Sequence, residues 1–600
     1  MLTHTLNLSQ SPVDSVDSTI DSGPQPRVEW LLQILESLPR LQSLLVSRLP
    51  FFDHGAMLAV SAAGASHDNV HLLVAESETN ATPRGIAQLL HHFPTLVYLD
   101  LSYTPPTRDV LSSLSRMAYL QVLKLRGLRL KDEDVQFLIH AICSSVRFLD
   151  LRDNQATDTS VRSLVEVLLP PPVEFDDRMD PDIRDYVKRP DLDELVMKML
   201  TQPLTAHSRI SNLPRTGITH LYLANNPITV EGVVSLLAAA AGRLFALDVG
   251  IPSTADSSGA AERLIPLLVS SHANDKLTYL RINHAVVTED IPVGGDSTST
   301  AGLRDLPEII NDIGPSAEGS SSGLAPPPPP PPPQVDNTSL SGSPISSADA
   351  DYKRIQELLA NRPSAAAEHI HLHPSHIPHV ETLVLTDIPP FLPAKDPHIL
   401  SALIRFITAC SDEALLADLQ AKSHHYYYCY YSAGHARVEA EKRRSKDLFA
   451  LRRLVLELAP PSSSSSSSSS INKFRELRPG SSWKSSGDRD VDMLRSAATN
   501  DFSFFGGDQE WGDPEEEDNS NDSPRSAQQH GLVSSQSSRQ EQMHQVPNEV
   551  DLVAELAAFR RAKKAQYEGC LDSNDVSSSP YYVEGYWKGE VNVVRKYAMQ

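Results

Sequence analysis

The sequence predicts an α/β solenoid: a horseshoe with parallel strands on its concave face and helices on its convex face, interrupted by long disordered segments. Three observations predict it. The first is a short unit, apolar–x–x–Leu–x–apolar, seen in Leu96-Val-Tyr-Leu99-Asp-Leu101, Leu120-Gln-Val-Leu123-Lys-Leu125 and Val146-Arg-Phe-Leu149-Asp-Leu151. It returns at Ile218-Thr-His-Leu221-Tyr-Leu223, Leu244-Phe-Ala-Leu247-Asp-Val249, Leu277-Thr-Tyr-Leu280-Arg-Ile282, Val380-Glu-Thr-Leu383-Val-Leu385 and Leu451-Arg-Arg-Leu454-Val-Leu456. The second is its spacing. Leu96 and Leu120 are 24 residues apart, and Leu120 and Val146, like Ile218 and Leu244, are 26 apart. The third is that each unit is followed by apolar positions at helical spacing.

Within a unit the side chains alternate, so Leu99 and Leu101 face one way and Tyr98, Asp100 and Ser102 the other. The return to the next strand has period 3.6: Val110, Leu111, Leu114 and Met117 fit one helix face, as do Val135, Leu138 and Ile139. No unit buries its apolar face alone, so neighbours must stack.

Two units extend the pattern. Leu149-Asp-Leu-Arg-Asp-Asn154 and Leu221-Tyr-Leu-Ala-Asn-Asn226 both place Asn eight residues after the unit's first apolar residue. On these residues the chain resembles the leucine-rich repeat family, in its long, ribonuclease-inhibitor-like type, with irregular repeats and disordered insertions. The resemblance implies that this Asn packs inside and satisfies backbone groups where the chain leaves the strand, since an unpaired buried amide is costly. Leu128 and Thr104 hold the same position in the two units before Asn154, breaking the ladder. The return Ile228-Thr-Val-Glu-Gly232-Val-Val-Ser-Leu236-Leu237 suits the helix-bearing long repeat.

In chain order, 1–26 is read as an irregular N-terminus in which Leu6 and Leu8 could form a degenerate first rung. The solenoid proper occupies 27–290. Val28 to Leu38 predicts a helix leading into Leu41-Gln-Ser-Leu44-Leu-Val46, and Val70-His-Leu-Leu73 a weaker rung. An insertion at 169–217, with a helix at Asp193–Leu200, is expected to emerge from the solenoid edge. Residues 291–350 read as a disordered Ser/Gly/Pro-rich linker ending in eight prolines, Pro326 to Pro333. The solenoid continues over 351–459. This block has a helix at Tyr352–Leu359, another from about Pro397 to Leu419, and a long helix from Ala417 to Lys446 carrying Tyr426 to Tyr431. Nine serines, Ser462 to Ser470, open a low-complexity region over 460–547 that includes the acidic run Asp513 to Asp518 and the pair Ser523-Pro524, a proline-directed phosphorylation pattern. Residues 548–600 form a C-terminal helix, with Leu552, Val553, Leu556 and Phe559 on one face, and an aromatic tail, Tyr581 to Trp587. That tail either docks on the solenoid or is a peptide for a partner.

A formal charge of −23 argues against nucleic-acid binding, which needs clustered Lys and Arg. The four cysteines form no C-x-x-C pair and suit a reducing compartment. Residues 1–9 lack the basic region and apolar core of a signal peptide, so a cytoplasmic or nuclear location is expected and the sequons at Asn80 and Asn337 read as coincidences. No apolar stretch is long enough to span a bilayer. The chain has no G-x-x-x-x-G-K-[ST], G-x-G-x-x-G, G-x-S-x-G or H-E-x-x-H, so no enzyme, cofactor or metal is expected. His369, His371, His373, His376 and His379 cluster, but Pro374 and Pro378 interrupt them, and a solvated loop is the expectation. Glu441-Lys-Arg-Arg-Ser-Lys446 reads as the wet face of a helix, with a nuclear localisation signal as the alternative.

The candidate binding surface is the concave strand face: Tyr98, Asp100, Lys124, Arg126, Phe148, Asp150, Arg152, His220, Tyr222, Asp248, Tyr279 and Arg281. Aromatics and Arg are enriched at binding hot spots. The function expected is a non-enzymatic scaffold or adaptor that binds a protein partner there. Pro326–Pro333 could serve as a stiff spacer or as a ligand for SH3, WW or profilin-like grooves. Two alternatives stand: a GTPase-activating protein of the Ran type, also built from long repeats, and a substrate adaptor of a ubiquitin ligase.

Overall fold

The computed structural model describes residues 3–9, 28–49, 51–104, 108–142, 145–168, 187–202, 217–240, 242–250, 260–269, 276–289, 291–292, 347–363, 369–395, 397–428, 434–459, 549–572 and 582–595. Pro326–Pro333, Ser462–Ser470 and the run Asp513–Asp518 lie outside them.

Strands and helices alternate. The N-terminal elements are β1 (Thr5–Asn7), α1 (Trp30–Ser37), β2 (Ser43–Leu45), α2 (His54–Ala63), β3 (Leu72–Val74), α3 (Pro83–Leu90), β4 (Tyr98–Asp100) and α4 (Arg108–Ser113). Next come β5 (Val122–Lys124), α5 (Asp132–Ala141), β6 (Phe148–Asp150), α6 (Asp158–Leu168), α7 (Leu192–Thr201), β7 (His220–Tyr222) and α8 (Val230–Ala239). They are followed by β8 (Ala246–Asp248), α9 (Ala260–Val269), β9 (Tyr279–Asn283), α10 (Ala285–Thr288), β10 (Ile291–Pro292) and α11 (Ser347–Ala360). The chain then forms β11 (His369–Ile370), β12 (Thr382–Ile388), β13 (Phe391–Pro393), α12 (His398–Tyr428), α13 (Gly434–Leu448) and β14 (Arg453–Leu458). It ends with β15 (Glu549–Asp551), α14 (Leu552–Asp572) and β16 (Glu590–Arg595).

Twelve strands form one open parallel sheet in the order β1-β2-β3-β4-β5-β6-β7-β8-β9-β12-β14-β16. With a helix between most neighbours, this is a repeat-like α/β stack consistent with a solenoid. Its register aligns one apolar side chain from every strand: Leu6, Leu44, Leu73, Leu99, Leu123, Leu149, Leu221, Leu247, Leu280, Leu383, Leu454 and Val591. That column and the inward faces of the helices form the main core. Each buried leucine contributes about 1.5–3 kcal/mol relative to exposure. Strand β12 lies directly beside β9 although Asn283 and Thr382 are far apart in sequence.

The chain leaves β2 to β7 by a repeated turn, and the same backbone conformation recurs at Asp387 near the end of β12. Arg48, Ser77, Tyr103, Gly127, Asp153, Asn225 and Asp387 each hold a left-handed φ between 57° and 70°. In all seven the next residue is buried: Leu49, Glu78, Thr104, Leu128, Asn154, Asn226 and Ile388. At Asn154 the amide donates to the Leu125 (2.8 Å) and Leu151 (2.9 Å) carbonyls and accepts from the Leu130 N–H (3.0 Å). Asn226 repeats this with Leu151 (2.9 Å), Leu223 (2.8 Å) and the Ala156 N–H (3.0 Å). Thr104 does part of the same work, donating to the Ala75 carbonyl at 2.8 Å and accepting from the Glu78 N–H at 3.1 Å. Glu78, at the same position one unit earlier, accepts the Leu49 N–H with both carboxylate oxygens at 3.1 Å. Leu128 simply packs in the core.

Several expectations change in the structure. The helix from about Pro397 does not stop at Leu419: α12 runs on to Tyr428, with Leu416 and Leu419 packed against Ile355 and Leu358 of α11 partway along it. A second helix, α13, starts at Gly434, so Ala417–Lys446 is not one helix, and Cys429 to Tyr431 lie outside the described residues. The His cluster is not a solvated loop. Pro374–His376 form a 3-10 turn capped by His373, whose Nδ1 accepts from the Ser375 N–H and whose ring is buried. The aromatic tail docks. Trp587 is buried, Tyr586 stacks on Tyr567 at 4.3 Å, and β16 pairs in parallel with β14 as the last strand.

Replacing Asn226 with Ala leaves one N–H and two carbonyls without their partner. Chemical denaturation is expected to show a loss of about 3 kcal/mol. Burial pushes the Glu78 carboxyl up to about 7, against an ordinary value of 4.5, and the Leu49 N–H opposes the shift. The folded chain therefore holds this proton more tightly than the unfolded chain. Its contribution to stability is full below pH 4.5 and is lost as pH rises through 7. Between pH 5 and pH 8 the native chain should lose about 2 kcal/mol more than Glu78→Gln, which cannot ionise.

Candidate functional site

The first and third residues of each short strand point away from the helices. In register they form two rows, Leu72–Tyr98–Val122–Phe148–His220–Ala246–Tyr279 and Val74–Asp100–Lys124–Asp150–Tyr222–Asp248–Arg281. Arg126 and Arg152 follow two residues beyond Lys124 and Asp150. All twelve residues expected to form a binding surface thus belong to one face.

That face is not open. Tyr98 is 1 %, Phe148 2 % and His220 0 % exposed, and Asp100, Asp150, Tyr222, Asp248 and Arg281 are buried as well. The cover comes from the chain itself. Helix α7, in the insertion between β6 and β7, lies across the outer face with Leu192, Val196 and Leu200 packed on Leu72, Val74, Val97, Tyr98, Val122, Phe148, Tyr222 and Ala246. The insertion was expected to leave the edge of the stack; residues 187–202 instead lie on its face. The physical reason is in the rows themselves: Leu72, Val122 and Ala246 alternate with rings, and such an apolar surface is stabilised by a second layer.

The grip on α7 is mainly through its backbone. Upstream, the Thr278 hydroxyl donates to the Lys188 carbonyl at 2.9 Å, and the Tyr222 hydroxyl to the Pro190 carbonyl at 2.9 Å. His220 Nε2 lies 2.8 Å from the Arg189 carbonyl, so it carries the proton, and Nδ1 accepts from the Thr219 hydroxyl at 2.9 Å. At the C-terminal end, Ser43 donates to the Leu200 carbonyl at 2.7 Å and Thr5 to the Thr201 carbonyl at 3.0 Å. These two bonds satisfy carbonyls that a helix end leaves unpaired. Midway, Lys124 pairs with Asp193 at 2.5 Å, its ammonium 5.7 Å from both the Tyr98 and Phe148 ring centres.

Beside α7 runs a row of ion pairs. Arg152 holds Asp150 in two-pronged fashion, and Arg281 bridges Asp248 (2.7 Å) and both oxygens of Glu457 (2.8 and 2.7 Å). Burial pushes the Asp248 carboxyl up, and the two arginines pull it back down. The open part of the site is its rim. Asp153 accepts from Tyr103 (2.9 Å), Arg126 (2.5 Å) and Asn225 (2.6 Å), and the Arg126 guanidinium lies 5.5 Å from the exposed Tyr103 ring. The left-handed turn at Gly127 brings its backbone under that ring, where a Cβ would stand 2.3 Å from Tyr103 carbons.

Sequence reasoning missed Thr5, Ser43, Asp193, Thr278 and Glu457. The spacing Leu192, Val196, Leu200 was the available signal, an apolar stripe on a helix with no assigned partner. Among the described residues no group of three or more His, Cys, Asp or Glu is arranged to hold a metal, and no helix is long and apolar enough to cross a membrane. The chain matches no protein-family model and no curated protein.

Burial lowers the His220 pKa to about 4 from 6.5. The unfolded chain takes up a proton in that window and the folded chain does not. The contribution of neutral His220 is therefore full above pH 6.5 and is lost as pH falls through 4, opposite to Glu78. Between pH 7 and pH 4.5 the native chain should lose about 2 kcal/mol more than His220→Gln, which keeps one donor and one acceptor.

Proposed function

We propose that this chain is a leucine-rich repeat protein of the long-repeat type that works, without enzymatic activity, as a protein-interaction scaffold, its partner bound on the strand face. The family reading is supported by the Asn154 and Asn226 amides, which bond across units as the resemblance implies, and by the left-handed turn repeated at the strand exits. One observation carries the function: the strand face already holds a peptide segment, residues 188–201, by five side-chain bonds to main-chain carbonyls and one ion pair. A surface that grips backbone in this way suits recognition of a polypeptide. The rim, with Tyr103 and Arg129 exposed and Arg126 half-buried between them, extends that surface beyond α7.

Affinity capture from native extract should return proteins that bind the wild type and are lost with the rim variant Tyr103→Ala/Arg129→Glu. An identical set from both would sink the placement on this face. GTP hydrolysis by added small GTPases should be the same with and without the chain.

A further inference from the structure

Helix α7 has the properties of a ligand rather than of a strand connection. Strands β6 and β7 pair in register, Phe148 with His220 and Asp150 with Tyr222, just as β4 and β5 do with a far shorter connection. The sheet therefore does not need α7 to align these strands. The helix contributes three buried residues, Leu192, Val196 and Leu200, at i, i+4 and i+8, and one acid, Asp193, aimed at Lys124. Its C-terminal bonds are made by the Leu200 and Thr201 carbonyls, which any helix of the same placement would present, and the other bonds fall on the carbonyls of Lys188, Arg189 and Pro190 just ahead of it. The receiving side chains come from strands distant in sequence: Thr5 and Ser43 at one end, Tyr222 and Thr278 at the other. What the face selects is an apolar stripe at four-residue spacing, an acid directly after its first residue, and a C-terminal helix end whose carbonyls can accept hydroxyls.

We propose that the outer face of β2–β9 is a docking site for an amphipathic, acid-bearing helix of a partner protein, and that α7 is the chain's own occupant, displaced when that partner binds. This rests on the reading of the strand face as an interaction surface and names the kind of partner it takes. Lys124 is the discriminating group. Held between the Tyr98 and Phe148 rings and only 18 % exposed, it is stabilised by the carboxylates of Asp100 below and Asp193 above, so a helix without the acid leaves this buried cation with Asp100 alone.

The test uses the full chain and a fluorescent peptide of residues 187–202. Two opened variants free the face, one with Val196→Asp/Leu200→Asp and one with 187–202 exchanged for a Gly/Ser stretch of equal length. By fluorescence anisotropy the peptide should bind both opened variants at least tenfold more tightly than the native chain. A peptide with the Val196→Asp change, or with Asp193→Asn, should lose at least tenfold on the opened face, and adding Lys124→Ala to the opened chain should erase the Asp193→Asn difference. The proposal is overturned if folded opened variants do not bind the peptide, if the native chain binds it equally well, or if neither opened variant unfolds cooperatively, which would make α7 a fixed part of the core. Loss of partners from the rim variant in extract is scored separately. Peptide binding without captured partners would retain the site and remove the scaffold reading, and captured partners without peptide binding would do the reverse.

Discussion

A strand of three residues can send only one side chain inward, and the whole stack depends on that side chain being apolar in every unit. The column from Leu6 to Val591 meets this condition twelve times, and the helices are held only because their apolar stripes meet it from the other side. The backbone imposes a second condition. Where the chain turns out of a strand, its N–H and C=O groups fall inside the stack and must find partners. Asn154, Asn226, Thr104 and Glu78 are four answers of decreasing fitness to that one problem. The two amides supply both donor and acceptor, the hydroxyl a single donor with an acceptor, and the Glu78 carboxyl accepts one N–H with both of its oxygens.

The opposite face obeys a different rule. A parallel sheet tends to be covered on both sides, and among the described residues the second layer is one short helix, α7. Where α7 lies, the outward side chains are rings and aliphatics. Beside it they are charged, and the guanidiniums of Arg152 and Arg281 are shared among three carboxylates, Asp150, Asp248 and Glu457. The third strand residues fall on both sides of that division: Val74 and Tyr222 pack under α7 and Lys124 pairs with it, while Asp150, Asp248 and Arg281 belong to the ion-pair row.

Much of the stack was legible in the sequence. Alternation and spacing placed eight strands through Leu99, Leu123, Leu149, Leu221, Leu247, Leu280, Leu383 and Leu454 at the right positions, and Leu6, Leu44 and Leu73 marked weaker ones. The strand at Val591 was missed because Lys588 stands where the unit needs its first apolar residue. The orientation of the twelve candidate side chains was legible too, since it follows from period 2 alone. Their accessibility was not. Whether an outward Tyr98 or Phe148 meets water depends on a segment fifty to a hundred residues further along, and no local pattern encodes where an inserted helix will lie.

Stacked repeats usually unfold by parts, because each unit touches only its neighbours and the coupling along the array is short-ranged. Helix α7 breaks that locality. It ties Thr5 to Thr201 across 196 positions and Ser43 to Leu200 across 157, while its other end is fastened through Tyr222 and Thr278. While α7 is seated it couples the strands from β1 to β9, and the N-terminal rungs gain that added stability only once the chain has been made past residue 201. High contact order of this kind slows folding. The strand order β12–β14–β16 lies outside that tie, and fraying from the C-terminal end would leave the nine-strand block intact.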